Sequence, residues 1–151
     1  MPQLSGHFPR HEPVVIPVVI VPLGLIIDTQ QDSKLRLFKA VLTTGVDISG
    51  VSQNVAVELG LLQAVTPPPS TSVLSLETKY SFQLGLVQPN KAKYNVHLLN
   101  APLVISSYLT NTPYDVVIGN DIIDLGNFHK FGTTGYWSLE LPDYVSRCIT
   151  I

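Results

Sequence analysis

The chain has 151 residues, of which 45% are hydrophobic and 13% are charged, and its formal net charge at pH 7 is −2. This length fits one domain with a buried core. Lys and Arg form no basic stripe, which argues against nucleic acid as the main ligand, because phosphate binding needs clustered positive charge. The low share of charge leaves apolar surface that a partner can cover, so we expect an oligomer, the alternative being a small domain with a large core.

The first 13 residues are rich in proline and show no periodicity, and we expect an N-terminal arm. His7 and His11 have the spacing of metal ligands on a helix, but Pro9 between them disfavours that helix. No cysteine or further carboxylate cluster supports the two histidines. We therefore predict neither a metal site nor a cofactor.

The apolar stretch Val14 to Ile27 predicts one or two strands with Pro17 and Pro22 at edges or ends. It is too short to span a bilayer, and its flanks do not resemble those of a signal peptide, so we expect no membrane partner. Asp28-Thr29-Gln30 is a rival candidate for a catalytic loop, but it lacks the glycine and lies in the polar run Asp28 to Lys34, which is typical of a hairpin loop. A return strand, Lys34 to Leu42, then follows.

The chain next carries the sequence LFKAVLTTGVDISGVSQNVAVELGL, from Leu37 to Leu61. Its apolar start has the length of a strand, and Thr43-Thr44-Gly45 permits a tight turn. Val46 to Val51 alternates loosely and predicts a second short strand.

A short helix is expected after that strand. Ser52 is a suitable N-cap, the helix covers about Gln53 to Glu58, and Gly60 stands where a C-cap glycine belongs. The strand, polar turn, strand and helix form a compact unit whose turn can face a ligand.

Three consecutive prolines, Pro67 to Pro69, require an extended backbone after this unit. Two strands, Val73 to Leu76 and Tyr80 to Val87, are expected to follow as a hairpin. Gln88 to Lys91 is expected to be a turn.

Tyr94 to Leu99 alternates as a strand and places His97 on the wetter face, where a solvated residue is a better interpretation than a catalytic base. Ala101 to Ile105 is another apolar strand. Ser106 to Thr112 is expected to be a polar loop.

The second informative stretch is PYDVVIGNDIIDL, from Pro113 to Leu125. Val116 to Ile118 is a β-branched run typical of a strand buried on both faces. Gly119 allows a close backbone approach, and Asn120 or Asp121 can cap a short helix.

The last third contains a hairpin, expected over Gly132 to Gly135, and an alternating strand that follows it. Residues 142–151 form a C-terminal extension that includes the one cysteine, Cys148. A single cysteine allows no disulfide within the chain and favours a reducing compartment such as the cytoplasm.

The two informative stretches, in this order, resemble the signature segments of retropepsin-like aspartic proteases. The first family pattern is an apolar strand, Asp-Thr-Gly-Ala-Asp/Ser, an apolar pair and a short helix ending in Leu-Gly-Leu. Thr44 to Ser49 match the part after the catalytic aspartate, and Ala56 and Leu59 to Leu61 match the helix end. Ile118 to Asp121 match the second pattern, which is an apolar strand, Ile-Gly, a polar pair and a short helix. The position of the catalytic aspartate holds Thr43.

The resemblance implies an all-β fold with one or two short helices, a closed acid-protease β-barrel with one lobe per chain. It places the protease domain at 14–141, the arm at 1–13 and the extension at 142–151. In the family, terminal strands commonly interleave at the dimer interface, and a frayed end is the alternative here. Because a chain of this size carries one catalytic position, a homodimer that acts on a peptide or protein is implied.

The resemblance also implies roles for individual residues. The positions of the catalytic turn are Thr43, Thr44 and Gly45. The positions that contact substrate are Val46 and Asp47 in the turn segment and Ser75, Leu76, Glu77 and Thr78 in the flap. The positions that support the turn are Ile118, Gly119, Asn120 and Asp121. A turn-capping role is the alternative for Asp47, and an ordinary core hairpin is the alternative for the flap, which carries no glycine between Ser70 and Leu84.

Thr43 cannot perform the family's chemistry, in which two carboxylates share one proton and activate a water. The expected function is therefore an aspartic endopeptidase whose present copy is inactive, whether Thr43 is natural or introduced. A non-catalytic peptide-binding or dimerising module is one alternative, and an unrelated small β-barrel is another. Asp47 as the catalytic residue is disfavoured, since that register shifts the helix end away from its family spacing. Asp115 is interpreted as a turn residue and Asp121 as a helix cap.

Overall fold

A computed structural model describes residues 3–9, 11–22, 36–63, 79–90, 93–100, 103–108 and 113–150. Within these ranges the chain is mainly β, as the sequence predicted. The strands are β1 (Gln3–His7), β2 (Val14–Pro22), β3 (Phe38–Leu42), β4 (Gly50–Ser52), β5 (Leu62–Gln63), β6 (Lys79–Asn90), β7 (Lys93–Leu99), β8 (Leu103–Tyr108), β9 (Val116–Ile118), β10 (Asn127–Phe131), β11 (Tyr136–Glu140) and β12 (Ser146–Thr150). The helices are α1 (Gln53–Leu59) and α2 (Asn120–Ile123).

The larger sheet runs in the order β12-β7-β6-β2-β3-β9-β4-β8, with β5 beside β6. The long strand β6 pairs with β2 through Phe82 to Leu86 and with β8 through Lys79 to Phe82. Because β6 reaches β8 as well as β2, the strands β6, β2, β3, β9, β4 and β8 form a ring of neighbours. The pairs β3–β9 and β4–β8 are parallel, and the other pairs in the ring are antiparallel.

A smaller sheet, in the order β1-β11-β10, closes over the core. Leu4 on β1 and Leu139 on β11 lie opposite each other and are fully buried. The main-chain nitrogen of Ser5 donates to Oε1 of Gln88, at 2.9 Å, which links β1 to β6. The N-terminal segment therefore contains a strand that its sequence does not predict, because one apolar residue in five gives no period-2 signal.

Strand β2 confirms the expected strand after residue 13 and explains its first proline. Pro17 pairs with Lys39 of β3, whereas the pairing of β2 with β6 begins only at Val18. Proline lacks an N–H donor, so it fits a position that is paired on one side only. Pro22 is the last residue of the strand.

Three predicted boundaries were wrong. The segment from Val46 is not a strand until Gly50, the expected turn at Gln88 is strand as far as Asn90, and the expected loop at Ser106 is strand through Tyr108. In each case pairing with a neighbour decides the boundary: β4 pairs with β8 and β9, and the end of β6 pairs with β7. Such pairing overrides local composition.

Helix α1 agrees with the prediction. Gly60 ends it in the left-handed region, with φ 63°, a conformation that favours glycine. Ser52 stands at the N-cap, but its side chain makes no capping hydrogen bond. In α2 the N-cap is Gly119, so the capping role predicted for Asn120 or Asp121 was wrong.

The C-terminal part of the chain is ordered into strands. The hairpin over Gly132 to Gly135 joins β10 to β11, as predicted, and β12 pairs along β7. His97 on β7 is buried, which corrects its assignment to a wetter face. The expected hairpin loop at 28–34, the prolines at 67–69, and the predicted strand at 73–76 lie outside the described residues.

Candidate functional site

The turn after β3 is built around the main chain of Thr43. Its nitrogen donates to the carbonyl oxygen of Ile118, at 3.0 Å, which ties the end of β3 to the end of β9. Its hydroxyl Oγ1 accepts from the nitrogen of Gly45, at 3.2 Å. The hydroxyl is thus used inside the turn, and Thr44 and Gly45 face solvent.

Gly119 lies against the segment that follows the turn. A Cβ added to Gly119 would stand 2.5 Å from the carbonyl oxygen of Val46 and 3.2 Å from the carbonyl carbon of Ile48. The next nitrogen, that of Asn120, donates to the same oxygen of Val46 at 2.8 Å. A side chain at position 119 would therefore separate the two segments, and this explains the glycine there.

Ser49 and Asp121 hold the far end of the loop. The main-chain nitrogen of Ser49 donates to both oxygens of the Asp121 carboxylate, at 3.0 Å each, and its hydroxyl donates to Oδ1 at 2.5 Å. The hydroxyl also accepts from the nitrogen of Gly119, at 2.8 Å. The carboxylate accepts a further bond from the nitrogen of Ile122, at 3.0 Å. The buried serine is therefore fully paired.

Asn120 holds the middle of the loop. Its Nδ2 donates to the carbonyl oxygen of Thr44 at 3.0 Å and to Oδ1 of Asp47 at 3.3 Å. The main-chain nitrogen of Asp121 donates to the carbonyl oxygen of Asp47, at 3.1 Å. We call residues 43–49 together with 118–121 the loop clasp.

Asp115, which precedes β9, connects the strands that carry the clasp. Its Oδ2 accepts from the nitrogen of Lys39 at 2.9 Å, and its own nitrogen donates back to the carbonyl oxygen of Lys39 at 2.8 Å. Its carbonyl oxygen accepts from the nitrogen of Ser52, at 2.8 Å. Asp115 therefore has a structural role, because it links Lys39 of β3 to Ser52 of β4.

Residues 46–48 of the clasp present two apolar side chains to solvent, one on each side of Asp47. The side chain of Ile48 is 68% exposed and that of Val46 is 39% exposed, and Asp47 between them is also exposed. Two surface cavities, of about 420 and 590 Å³, are lined by other parts of the chain. In one copy of the chain the turn thus faces outward, where a second molecule can reach it.

The structure brings together the two predicted segments, namely residues 43–47 and residues 118–121. It does not describe Ser75 to Thr78, so the flap assignment stays a prediction. Sequence reasoning gave Ser49 no role and did not single out Ile48. A serine inside an expected strand, two residues after an aspartate, was the available signal for a buried polar anchor.

Among the described residues, no group of three or more His, Cys, Asp or Glu side chains is placed to hold a metal ion. In the same ranges no helix is long and apolar enough to cross a membrane. The carboxylate nearest in sequence to the turn is that of Asp47, and position 43 itself offers only a hydroxyl.

Comparison with known proteins supports the fold. No protein-family model matches the chain, and no curated protein matches it. Among solved structures the chain is similar to a retropepsin-like aspartic protease from Rickettsia conorii, with a TM-score of 0.50 and 10% sequence identity, over 99% of this chain and 94% of that one. The chain therefore has the retropepsin-like fold, and the resemblance read from the two segments is confirmed at the level of fold. The alternative of an unrelated β-barrel is not supported.

Proposed function

We propose that the chain is a homodimeric protein of the retropepsin-like aspartic endopeptidase class, in which two copies of the turn at 43–45 meet across a two-fold axis. We further propose that the chain as written does not hydrolyse peptides, because Thr43 holds the catalytic position. The observation that carries this proposal is the loop clasp. The two sequence segments that resemble the family's signatures lie against each other through named hydrogen bonds.

The chemical reason for inactivity is the absence of an ionisable group at position 43. Two carboxylates held close together cannot both ionise, so they share one proton, and the ionised member activates a water. A threonine hydroxyl remains protonated near neutral pH and cannot act as the base. General acid–base catalysis contributes roughly 10²–10⁴-fold for each role, and a homodimer of this chain lacks both roles.

The clasp itself does not depend on a carboxylate at position 43. Its hydrogen bonds use main-chain groups of both segments and the side chains of Asp47, Ser49, Asn120 and Asp121. Thr43 supplies one side-chain acceptor, for the nitrogen of Gly45. An aspartate oxygen can supply the same acceptor and leave its second oxygen free for a water. A single substitution is therefore expected to restore the missing chemistry on a loop that is already formed.

The second candidate function is peptide binding without hydrolysis, and the exposed face of the clasp favours it. Asp47 presents its carboxylate with one oxygen bonded to Asn120 at 3.3 Å, and it lies between the exposed apolar side chains of Val46 and Ile48. A carboxylate beside apolar side chains suits an extended peptide, whose N–H groups need acceptors and whose apolar side chains need cover.

The test compares cleavage of a peptide pool, from pH 4 to 7, by the unaltered chain, Thr43→Asp and the matched control Thr43→Asn. Asparagine has the shape of aspartate and cannot ionise. We expect cleavage by Thr43→Asp alone. Sedimentation under the same conditions reports whether all three proteins are dimers.

Each other outcome has a definite meaning. Cleavage by the unaltered chain would overturn the assignment of position 43 and point to Asp47. If no variant cleaves although all are folded dimers, peptide binding becomes the better function, and peptide retention by the unaltered chain then measures it directly. A monomeric chain at all concentrations would refute the two-fold arrangement.

A further inference from the structure

The strand β12 is held to the rest of the molecule along one edge. It is the end strand of the larger sheet, and within the described ranges it pairs with β7 alone, from Ser146 opposite Leu99 to Thr150 opposite Asn95. Two side chains of this short strand, Arg147 and Cys148, are exposed. An edge strand of five residues opens locally at a lower free energy than the whole domain.

A buried histidine lies beside this strand, on β7. His97 of β7 is directly opposite Cys148 in the β7–β12 register, and its side chain is only 4% exposed. Its Nδ1 is buried and has no hydrogen-bond partner among the described residues, and the same holds for Oγ of Ser146. The contact between β7 and β12 therefore contains two unpaired polar atoms, each of which weakens the folded state.

The surroundings of His97 offer little that could stabilise a positive charge. The residues opposite it are Leu86 on β6 and Cys148 on β12, and its neighbours on the same face of β7 are Asn95 and Leu99. Of these four, only the cysteine thiol is titratable. No carboxylate stands in register with the imidazole on either paired strand.

We propose that His97 makes the docking of β12 depend on protons, so that protonation of its imidazole releases the terminal strand and leaves the edge of β7 open. A neutral imidazole can stay between β6 and β12, whereas an imidazolium must reach water. Of the two strands beside His97, β6 is also paired with β2 and β8, whereas β12 is an end strand, so β12 is the strand that can move to admit water. The opened edge of β7 is then a row of unpaired main-chain groups to which another strand can pair.

The direction of the effect follows from burial. Burial lowers the pKa of His97, because the charged form loses its hydration. In the unfolded chain a histidine takes up its proton near pH 6.5. The stabilisation from a neutral, buried His97 is therefore fully present above about pH 6.5 and is lost progressively as the pH falls towards the lower pKa of the folded state.

Hydrogen exchange followed by mass spectrometry tests the proposal on the full chain at pH 7.5 and pH 5.5, with rates corrected for the intrinsic effect of pH. We expect the protection of the β12 amides to fall at pH 5.5, by up to about tenfold, the limit set by one pH unit below the ordinary histidine pKa of about 6.5. His97→Leu, which cannot take up a proton, should remove this dependence. His129→Leu is the matched control, because His129 is exposed on β10 and its loss should leave the dependence intact.

Two results would overturn the proposal: constant protection of β12 in the unaltered chain, or an equal loss in His97→Leu. If His97→Leu does not fold, an NMR titration of the unaltered chain decides. The β12 amide signals must then follow the titration of the His97 imidazole, and signals that follow another group contradict the mechanism. Neither measurement depends on peptide cleavage, so the proposal can fail or succeed independently of the proposed function.

Discussion

Buried polar groups are hydrogen-bonded in the loop clasp, whereas two of them lack a partner among the described residues in the contact between β7 and β12. In the clasp, the buried serine at position 49 donates and accepts hydrogen bonds with defined partners, and four bonds converge on one carboxylate. In the strand contact, two buried polar atoms have no partner within the described residues. From this difference we expect the clasp to keep one arrangement and the terminal strand to be the part that opens more easily.

The largest expected effect on stability comes from a substitution at Gly119, where the two segments of the clasp approach most closely. Gly119→Ala places a Cβ 2.5 Å from the carbonyl oxygen of Val46, and the two backbones must separate. We expect a loss of about 3 kcal/mol in the free energy of unfolding, at the upper end of the range for overpacking. Urea denaturation measures it. Gly132→Ala is the control, because nothing lies within 4 Å of the added atom, and equal losses in the two variants would contradict the close approach.

A smaller loss of stability is expected when the Asp121 carboxylate, which binds Ser49 in the clasp, is removed. Asp121→Ala leaves the nitrogen and hydroxyl of the buried Ser49 without their acceptor, and each unpaired buried donor costs roughly 1–3 kcal/mol. Because Asp121 itself borders solvent, water can replace part of the loss, and we expect about 2 kcal/mol. Asp124→Ala, at the other end of the same short helix, should have little effect in the same denaturation experiment. An unchanged midpoint for Asp121→Ala would show that the clasp does not depend on this carboxylate.

The smallest expected effect has the opposite sign and concerns the strand contact. Ser146→Ala removes a buried hydroxyl that lacks a partner, so we expect a gain of about 1 kcal/mol in the free energy of unfolding. The gain should appear at both pH 7.5 and pH 5.5, because the hydroxyl does not titrate. Ser52→Ala provides the comparison, since that hydroxyl makes no capping bond and its loss should leave stability unchanged. A loss of stability in Ser146→Ala would mean that the hydroxyl has a partner after all.

The parts of the molecule that could be predicted are those where the residue types themselves favour one local conformation. Thr43-Thr44-Gly45 gave the turn, Gly60 gave the helix end, and the β-branched run at 116–118 gave a buried strand. The meeting of the two segments followed from the resemblance and from no local signal.

The misses arise from contacts between residues distant in the sequence. Alternation placed His97 on a face that the sequence could not identify as covered, because the neighbouring strand β12 is contributed from about fifty residues further along the chain. Ser49 looked like a strand residue, yet its partner at position 121 turns it into an anchor. Asp121 suits a helix cap by its residue type, but three of the four bonds to its carboxylate come from Ser49 in the loop.

The parallel pairing of β3 with β9 also has a kinetic consequence. It joins Ala40 to Val116 and Leu42 to Ile118, so the turn at 43–45 cannot be held in place until most of the chain has been synthesised and has folded back. Pairings between such distant residues form slowly, because a large loop must close before any contact compensates for the lost chain entropy. The turn at 43–45 is therefore expected to be among the last parts of the domain to take shape during folding, after the local hairpins β6–β7 and β10–β11.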